Sequence, residues 1–319
     1  MKAIVKNIFI NAEIDYLRAG WRIGIFLLIA TACNTVITAP LMTLLKQIPG
    51  IPLQTAGAYL FYGTTTLATW IMLRFLDKRP FVAVGLTLKA KAGKELSQGL
   101  LFGSGMMSAI FVIEYATGMV YIEFRDVTLQ QGLMIFINSI MLYIIVGYGE
   151  EFLFRGYIFQ TFIEGSNKAI ATLTLALIFA MAHSSNPNAS VFGLVNVGLA
   201  GIWLSIAYFK TRALWLPIGL HISWNFFQGF VYSYPVSGTT SVREQIGTAI
   251  VSGPDWLTGG AFGPEGGALA TLMLIIGTVL IYKWNWVTSA DGVWNYGQWR
   301  EERKLQLLTQ TTEPVNIQP

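Results

Sequence analysis

Cysteine is nearly missing from this sequence: Cys33 stands alone in 319 residues, which excludes an internal disulfide and a cysteine-based metal cluster. Charge is scarce as well. Only 12% of the residues are charged, against about 25% in a soluble domain, while 54% are hydrophobic and the mean hydropathy is +0.54. Histidine occurs twice, at His183 and His221, and not in the compact His-Glu-x-x-His spacing of soluble zinc proteases. The Gly-rich stretch Gly259 to Gly267 has no strand reading before it and no Lys-Ser/Thr after it, so it is not a phosphate loop. A flexible loop is its expected role, with a lid as the alternative. The net charge of +4 is dispersed between apolar runs and fits membrane-flanking loops, so nucleic acid is not an expected partner.

What the chain does have is long apolar segments. Windows of about 17 to 25 weakly charged residues are long enough to cross a bilayer as helices, and eight can be drawn. They are 23–45, 54–73, 96–120, 128–163, two within 169–209 divided at Ser184-Ser185-Asn186-Pro187-Asn188, 213–234 and 266–282. The first begins too late and runs too long for a cleaved signal peptide. The expected fold is all-α and polytopic, with about eight transmembrane helices and the chemistry in spans four to seven. Residues 1–287 form one membrane domain, with its motif-bearing core at 128–234, and 288–319 a polar, partly disordered cytoplasmic tail. The basic segment from Arg74 to Glu95 is expected along the cytoplasmic surface, as an adsorbed segment or an ordinary solvated loop. Trp284, Trp286, Trp294 and Trp299 suggest an interfacial belt. With both termini cytoplasmic, 18 of the 21 lysines and arginines fall on the inner side, as the positive-inside rule requires. The expected location is a bacterial plasma membrane.

Against this background Glu150-Glu151 and Arg155 are costly to place, and ionisable groups at membrane depth are read as functional by default. Glu151 and Arg155 are four apart, the spacing of an intrahelical ion pair, and Glu150 points about 100° away. His221 and Asn225 also share a helix face. Counted from the turn at Ser166, Glu150 lies 16 residues back and His183 17 residues on, so both stand roughly 25 Å from it. Counted from Thr211, His221 and Asn225 stand about 15 and 21 Å along span seven. One buried pocket is the expected result. Glu114, a lone acid in span three, could join it or reach the far interface, and Asn138 and Asn196 are candidates for interhelical hydrogen bonds.

Read in order, Glu150-Glu151 with Arg155, Phe179 with His183, and His221 with Asn225 form EExxxR, FxxxH and HxxxN. In this order they resemble the CPBP family of intramembrane proteases, the CAAX-processing and bacteriocin-processing group. That resemblance implies peptide-bond hydrolysis in or at the bilayer, acting on a membrane-associated peptide or protein. It implies Glu150 as the base that deprotonates water, His183 as a second holder of that water, and His221 with Asn225 as oxyanion donors. Glu151 with Arg155 is read as supporting scaffold; an alternative has Arg155 receive a substrate's C-terminal carboxylate. Glu150, His183 and His221 could instead hold a zinc ion, although a Glu-activated water needs no cofactor. Two rival readings remain: a non-catalytic immunity or regulatory protein, and a carrier using Glu150 and Glu114 as a proton relay.

Overall fold

The computed structural model describes residues 7–88, 91–240, 245–285, 287–288 and 295–312, with side chains to 309. Lys2, Lys6, Lys89, Arg243, Trp286, Trp294 and the segment 313–319 lie outside the described residues. Helices dominate: α1 (Ala19–Leu45), α2 (Leu53–Ile71), α3 (Ala92–Ala116), α4 (Leu129–Gly165), α5 (Lys168–Ala182), α6 (Val191–Thr211), α7 (Trp215–Phe226), α8 (Ala268–Lys283) and α9 (Tyr296–Thr312). Each of the eight expected apolar segments overlaps one of α1 to α8, with ends displaced by up to several residues.

Among the described residues, α1, α3, α4 and α6 are long and apolar enough to cross a bilayer, while α5 and α8 are apolar but shorter. The count of self-sufficient spans is therefore four. The second segment falls short because it is threonine-rich. Thr64, Thr65, Thr66 and Thr69 return their hydroxyls to carbonyls one turn back, which satisfies them but lowers the hydropathy of the helix. The seventh shortens because α7 ends after 12 residues and continues as a π-helical turn, Phe227–Val231.

The outer faces are apolar. Leu28, Val36, Leu101, Leu173 and Leu177 are more than half exposed, the arrangement expected of a surface that meets hydrocarbon. Inside, α7 is the hub and packs most closely on α3. A Cβ placed on Gly99 would lie 2.4 Å from the Leu216 carbonyl oxygen, and one on Gly219 2.4 Å from that of Leu96. Only glycine at both positions lets these backbones meet. Met106, Met107, Trp203, Leu220 and Leu274 join α3, α6, α7 and α8 in one apolar core.

Two small antiparallel ladders finish the ends. β1 (Ile10–Asn11) pairs with β2 (Tyr16–Leu17), and β3 (Val120–Phe124) pairs with β4 (Gly247–Val251) in the register Val120 to Val251. The second ladder, with the turns from Asp255 to Gly266, gives the long connection between α7 and α8 a defined structure in place of the expected flexible loop.

The basic segment after α2 departs from expectation too. Asp77 and Arg79 are buried. Arg22 binds Asp77 through two bonds of 2.9 and 2.7 Å and also reaches Glu164, which in turn takes Arg79 at 2.6 Å. Phe81–Val84 forms one 3₁₀ turn packed with Phe26 and Phe152. The Arg79 guanidinium lies over the Trp299 ring, 4.1 Å from its centroid. The tail likewise is helical over α9, whose Arg300 and Lys304 bind Glu13.

Candidate active site

α4 is the element that positions the acids. Thr128 opens it with a reciprocal capping box to Gln131, and after Glu151 it passes into a π-helical turn, Phe152–Tyr157, kinked at Gly156 (φ −78°, ψ −120°). A π-turn adds a residue within the helix and re-aims the side chains around it. Glu150, His183, His221 and Asn225 line a single cavity of about 210 Å³. α4, the C-terminal end of α5 and α7 thus meet around one cavity.

Arg155 Nη1 donates to Glu151 Oε1 at 3.0 Å, and its Nη2 to the Gly201 carbonyl at 2.9 Å. The same Glu151 oxygen lies 2.9 Å from His221 Nδ1. Because a carboxylate only accepts, Nδ1 carries the hydrogen, and Nε2 is the nitrogen turned to the cavity, 3.8 Å from Glu150 Oε2. His183 is fixed in the same way: its Nδ1 donates to the Phe179 carbonyl at 2.8 Å, which leaves Nε2 as an acceptor. The two phenylalanines at 154 and 179 meet edge to face, with the Arg155 guanidinium 5.0 Å from the Phe179 centroid. This packing holds α5 against the kink.

The sequence reading separated Glu150 from Glu151 correctly by direction, yet Glu151 is more than a partner for Arg155, since it also anchors His221. Arg155 is buried, bound to Glu151 and Gly201, and does not line the cavity, which leaves it badly placed to receive a substrate carboxylate. Glu114 is fully buried, with its Oε2 accepting from Tyr234 at 2.6 Å. It neither lines the cavity nor reaches an interface. Asn196 does bridge: its Nδ2 donates to the Glu265 and Gly267 carbonyls, both at 2.9 Å, and its Oδ1 accepts from Thr271.

Two cavity neighbours carried no sequence signal. Tyr62 donates to Glu150 Oε1 at 3.5 Å, and its ring lies over Gly149, where a Cβ would stand 2.1 Å away. Glu265, from the Gly-rich stretch, lines the cavity with Val236 and Ser237. That stretch is a built roof. Its glycines hide the role, because composition reads them only as flexible.

Among the described residues no group of three His, Cys, Asp or Glu side chains is gathered closely enough to hold a metal ion. Glu150, His183 and His221 share the cavity without forming a ligand set.

Residues 131–227 match the family described as "Rce1-like: Type II CAAX prenyl endopeptidase Rce1-like". A Bacillus subtilis (strain 168) protein described as "Uncharacterized protein YyaK" is 23% identical over 175 residues, covering 53% of this chain and 58% of that protein. The chain thus spans little more than half the length of this curated relative. No solved structure matches. The matched region, under a third of the chain, holds all three motifs and the kinked helix that positions Glu150 and Glu151, and over it the chain is similar to the CAAX-type intramembrane proteases, while four of the described helices are long and apolar enough to cross a bilayer.

Proposed function

We propose that the protein is an intramembrane endopeptidase that cleaves a peptide bond of a membrane-associated peptide or protein. It would work from a multi-pass position in a bacterial plasma membrane, with α1 to α8 crossing or entering the bilayer and both termini cytoplasmic. The observation that carries the reading is the chain of contacts Arg155, Glu151, His221 ending beside Glu150 in a cavity that also holds His183.

In this mechanism Glu150 takes a proton from a water whose second hydrogen is held by His183 Nε2. The resulting hydroxide attacks the carbonyl carbon, and the oxyanion receives hydrogen bonds from His221 Nε2 and the Asn225 amide. His221 carries a proton on both nitrogens in this step, because Nδ1 is already committed to Glu151. Glu150 then returns its proton to the leaving amine. Glu151 and Arg155 touch no reacting atom and act by holding His221 in position.

Comparative peptidomics of cells carrying the wild type or Glu150→Gln tests the reading. A peptide that accumulates uncut only in the variant supports it and identifies the substrate. Identical peptidomes, with normal membrane insertion of the variant, would overturn it in favour of a non-catalytic role.

A further inference from the structure

Among the described residues that line the cavity, Glu265 is the one carboxylate that the proposed chemistry does not use. Its Oε2 accepts from the Ser237 backbone N–H and hydroxyl, both at 2.6 Å, and its Oε1 from Trp224 Nε1 at 3.3 Å. Donors on both oxygens suit the ionised form, which only accepts. Glu151 has Arg155 as its counter-charge and Glu150 has the His221 ring, but among the described residues no ion pair includes Glu265. Among the described residues no lysine or arginine lines the cavity. Glu265 is partly buried, and a carboxylate that has given up part of its hydration without a cation gains when a cation arrives. Three protein donors orient it, and Oε1, with a single long bond, retains lone-pair capacity toward the cavity.

We propose that Glu265 is a specificity-determining residue that receives a cationic side chain, lysine or arginine, of the peptide substrate. The inference deepens the proposed function and rests on this cavity being the place where the peptide lies. A substrate glutamate or aspartate, or a free C-terminal carboxylate, would bring like charge against Glu265 and Glu150 and is rejected there. The bond cut is then an internal one near a basic residue. The Gly-rich roof acts as a reader of the substrate, with Ser237 and Trp224 holding its carboxylate in place.

The test is binding to the full-length protein in detergent, carrying Glu150→Gln so that bound peptide is not consumed. The probes are three fluorescein-labelled apolar peptides that differ only in a central lysine, norleucine or glutamate. The lysine peptide is expected to bind at least about tenfold more tightly than the glutamate peptide, the size of one charge contact in a partly dry site. Adding Glu265→Gln, which keeps an acceptor oxygen for Ser237 but removes the charge, should abolish that ratio. Ser237→Ala, which keeps the charge, should preserve it. Equal binding of the three peptides, no binding of any, or a ratio that survives Glu265→Gln each overturns the proposal. Cleavage is read separately in the protein with Glu150 intact. Lysine-selective binding without Glu150-dependent cleavage would sink the protease reading alone, and cleavage without lysine selectivity would sink this inference alone.

Discussion

His221 Nδ1 and Glu151 Oε1 lie 2.9 Å apart, and the same oxygen takes Arg155 at 3.0 Å. One carboxylate oxygen therefore joins a scaffold charge to a ring that faces the cavity.

Glu151→Gln separates those two duties. It leaves the buried Arg155 guanidinium without its carboxylate, which costs about 3–5 kcal/mol when one partner of a buried pair is removed. Thermal unfolding in detergent should show the loss. Adding Arg155→Met should restore much of the stability, since an apolar replacement of a buried pair is often neutral. Turnover should stay low in the double variant because the introduced amide, though it can still accept from Nδ1, lacks the negative charge that favours a His221 ring protonated on both nitrogens. Recovery of both together would show that Glu151 acts only as scaffold.

The α3 to α7 crossing should be intolerant of one methyl group. Gly99→Ala and Gly219→Ala each place a carbon 2.4 Å from a carbonyl oxygen of the facing helix, and backbone cannot yield as a side chain can. Destabilisation of about 1–3 kcal/mol is expected for overpacking, read as a lower melting temperature. Gly20→Ala, with open space around it, serves as the control that should unfold like the wild type.

Glu164 joins Arg22 and Arg79, and its loss should be felt at the base of the bundle. Glu164→Gln is expected to cost about 3–5 kcal/mol by leaving buried charge uncompensated. Proteolysis should then open the region around residues 77–84 before the core. Under the proposed function, peptidase activity of the folded fraction should change little, because none of these residues lines the Glu150 cavity. A variant that melts with the wild type would show that the network contributes nothing net.

Docking of α9 should be sensitive to acid. The Glu13 carboxyl is held below its usual value by hydrogen bonds from Lys304 first and Arg300 next, with Lys304 Nζ 2.5 Å away. A group whose folded pKa is depressed contributes stability above its unfolded value, about 4.3 for glutamate, and loses it as pH falls through the lower folded value. Amide exchange across 296–309 should therefore be slow at neutral pH and accelerate below about pH 4. Salt should weaken the same contact, because it is solvent-exposed. Exchange that ignores both pH and salt would show that Glu13 does not hold the helix.

The legible part of the molecule was the part governed by periodicity. Apolar runs located α1 to α8, the Ser184 to Asn188 break separated α5 from α6, and the four-residue spacing paired Glu151 with Arg155, since neighbours on one helix are fixed by 3.6 residues per turn. Counting rise along two antiparallel helices was enough to bring Glu150 level with His183. Low charge alone overstated the self-sufficient spans, because an uncharged window can still be rich in threonine, as 54–73 is, and fall short in hydropathy.

Partners on different helices were another matter. Glu151 meeting His221, Glu265 meeting Ser237 and Trp224, and Arg79 buried beneath Trp299 depend on crossing angles and on how closely two backbones approach. Those quantities come from packing summed over the whole bundle, and no local pattern encodes them. The sequence by itself determined which residue types carry the chemistry and at what depth they stand. The tertiary structure decided which carboxylate binds the histidine and which two are left facing the cavity, because a carboxylate's surroundings depend on the donors that packing brings to it.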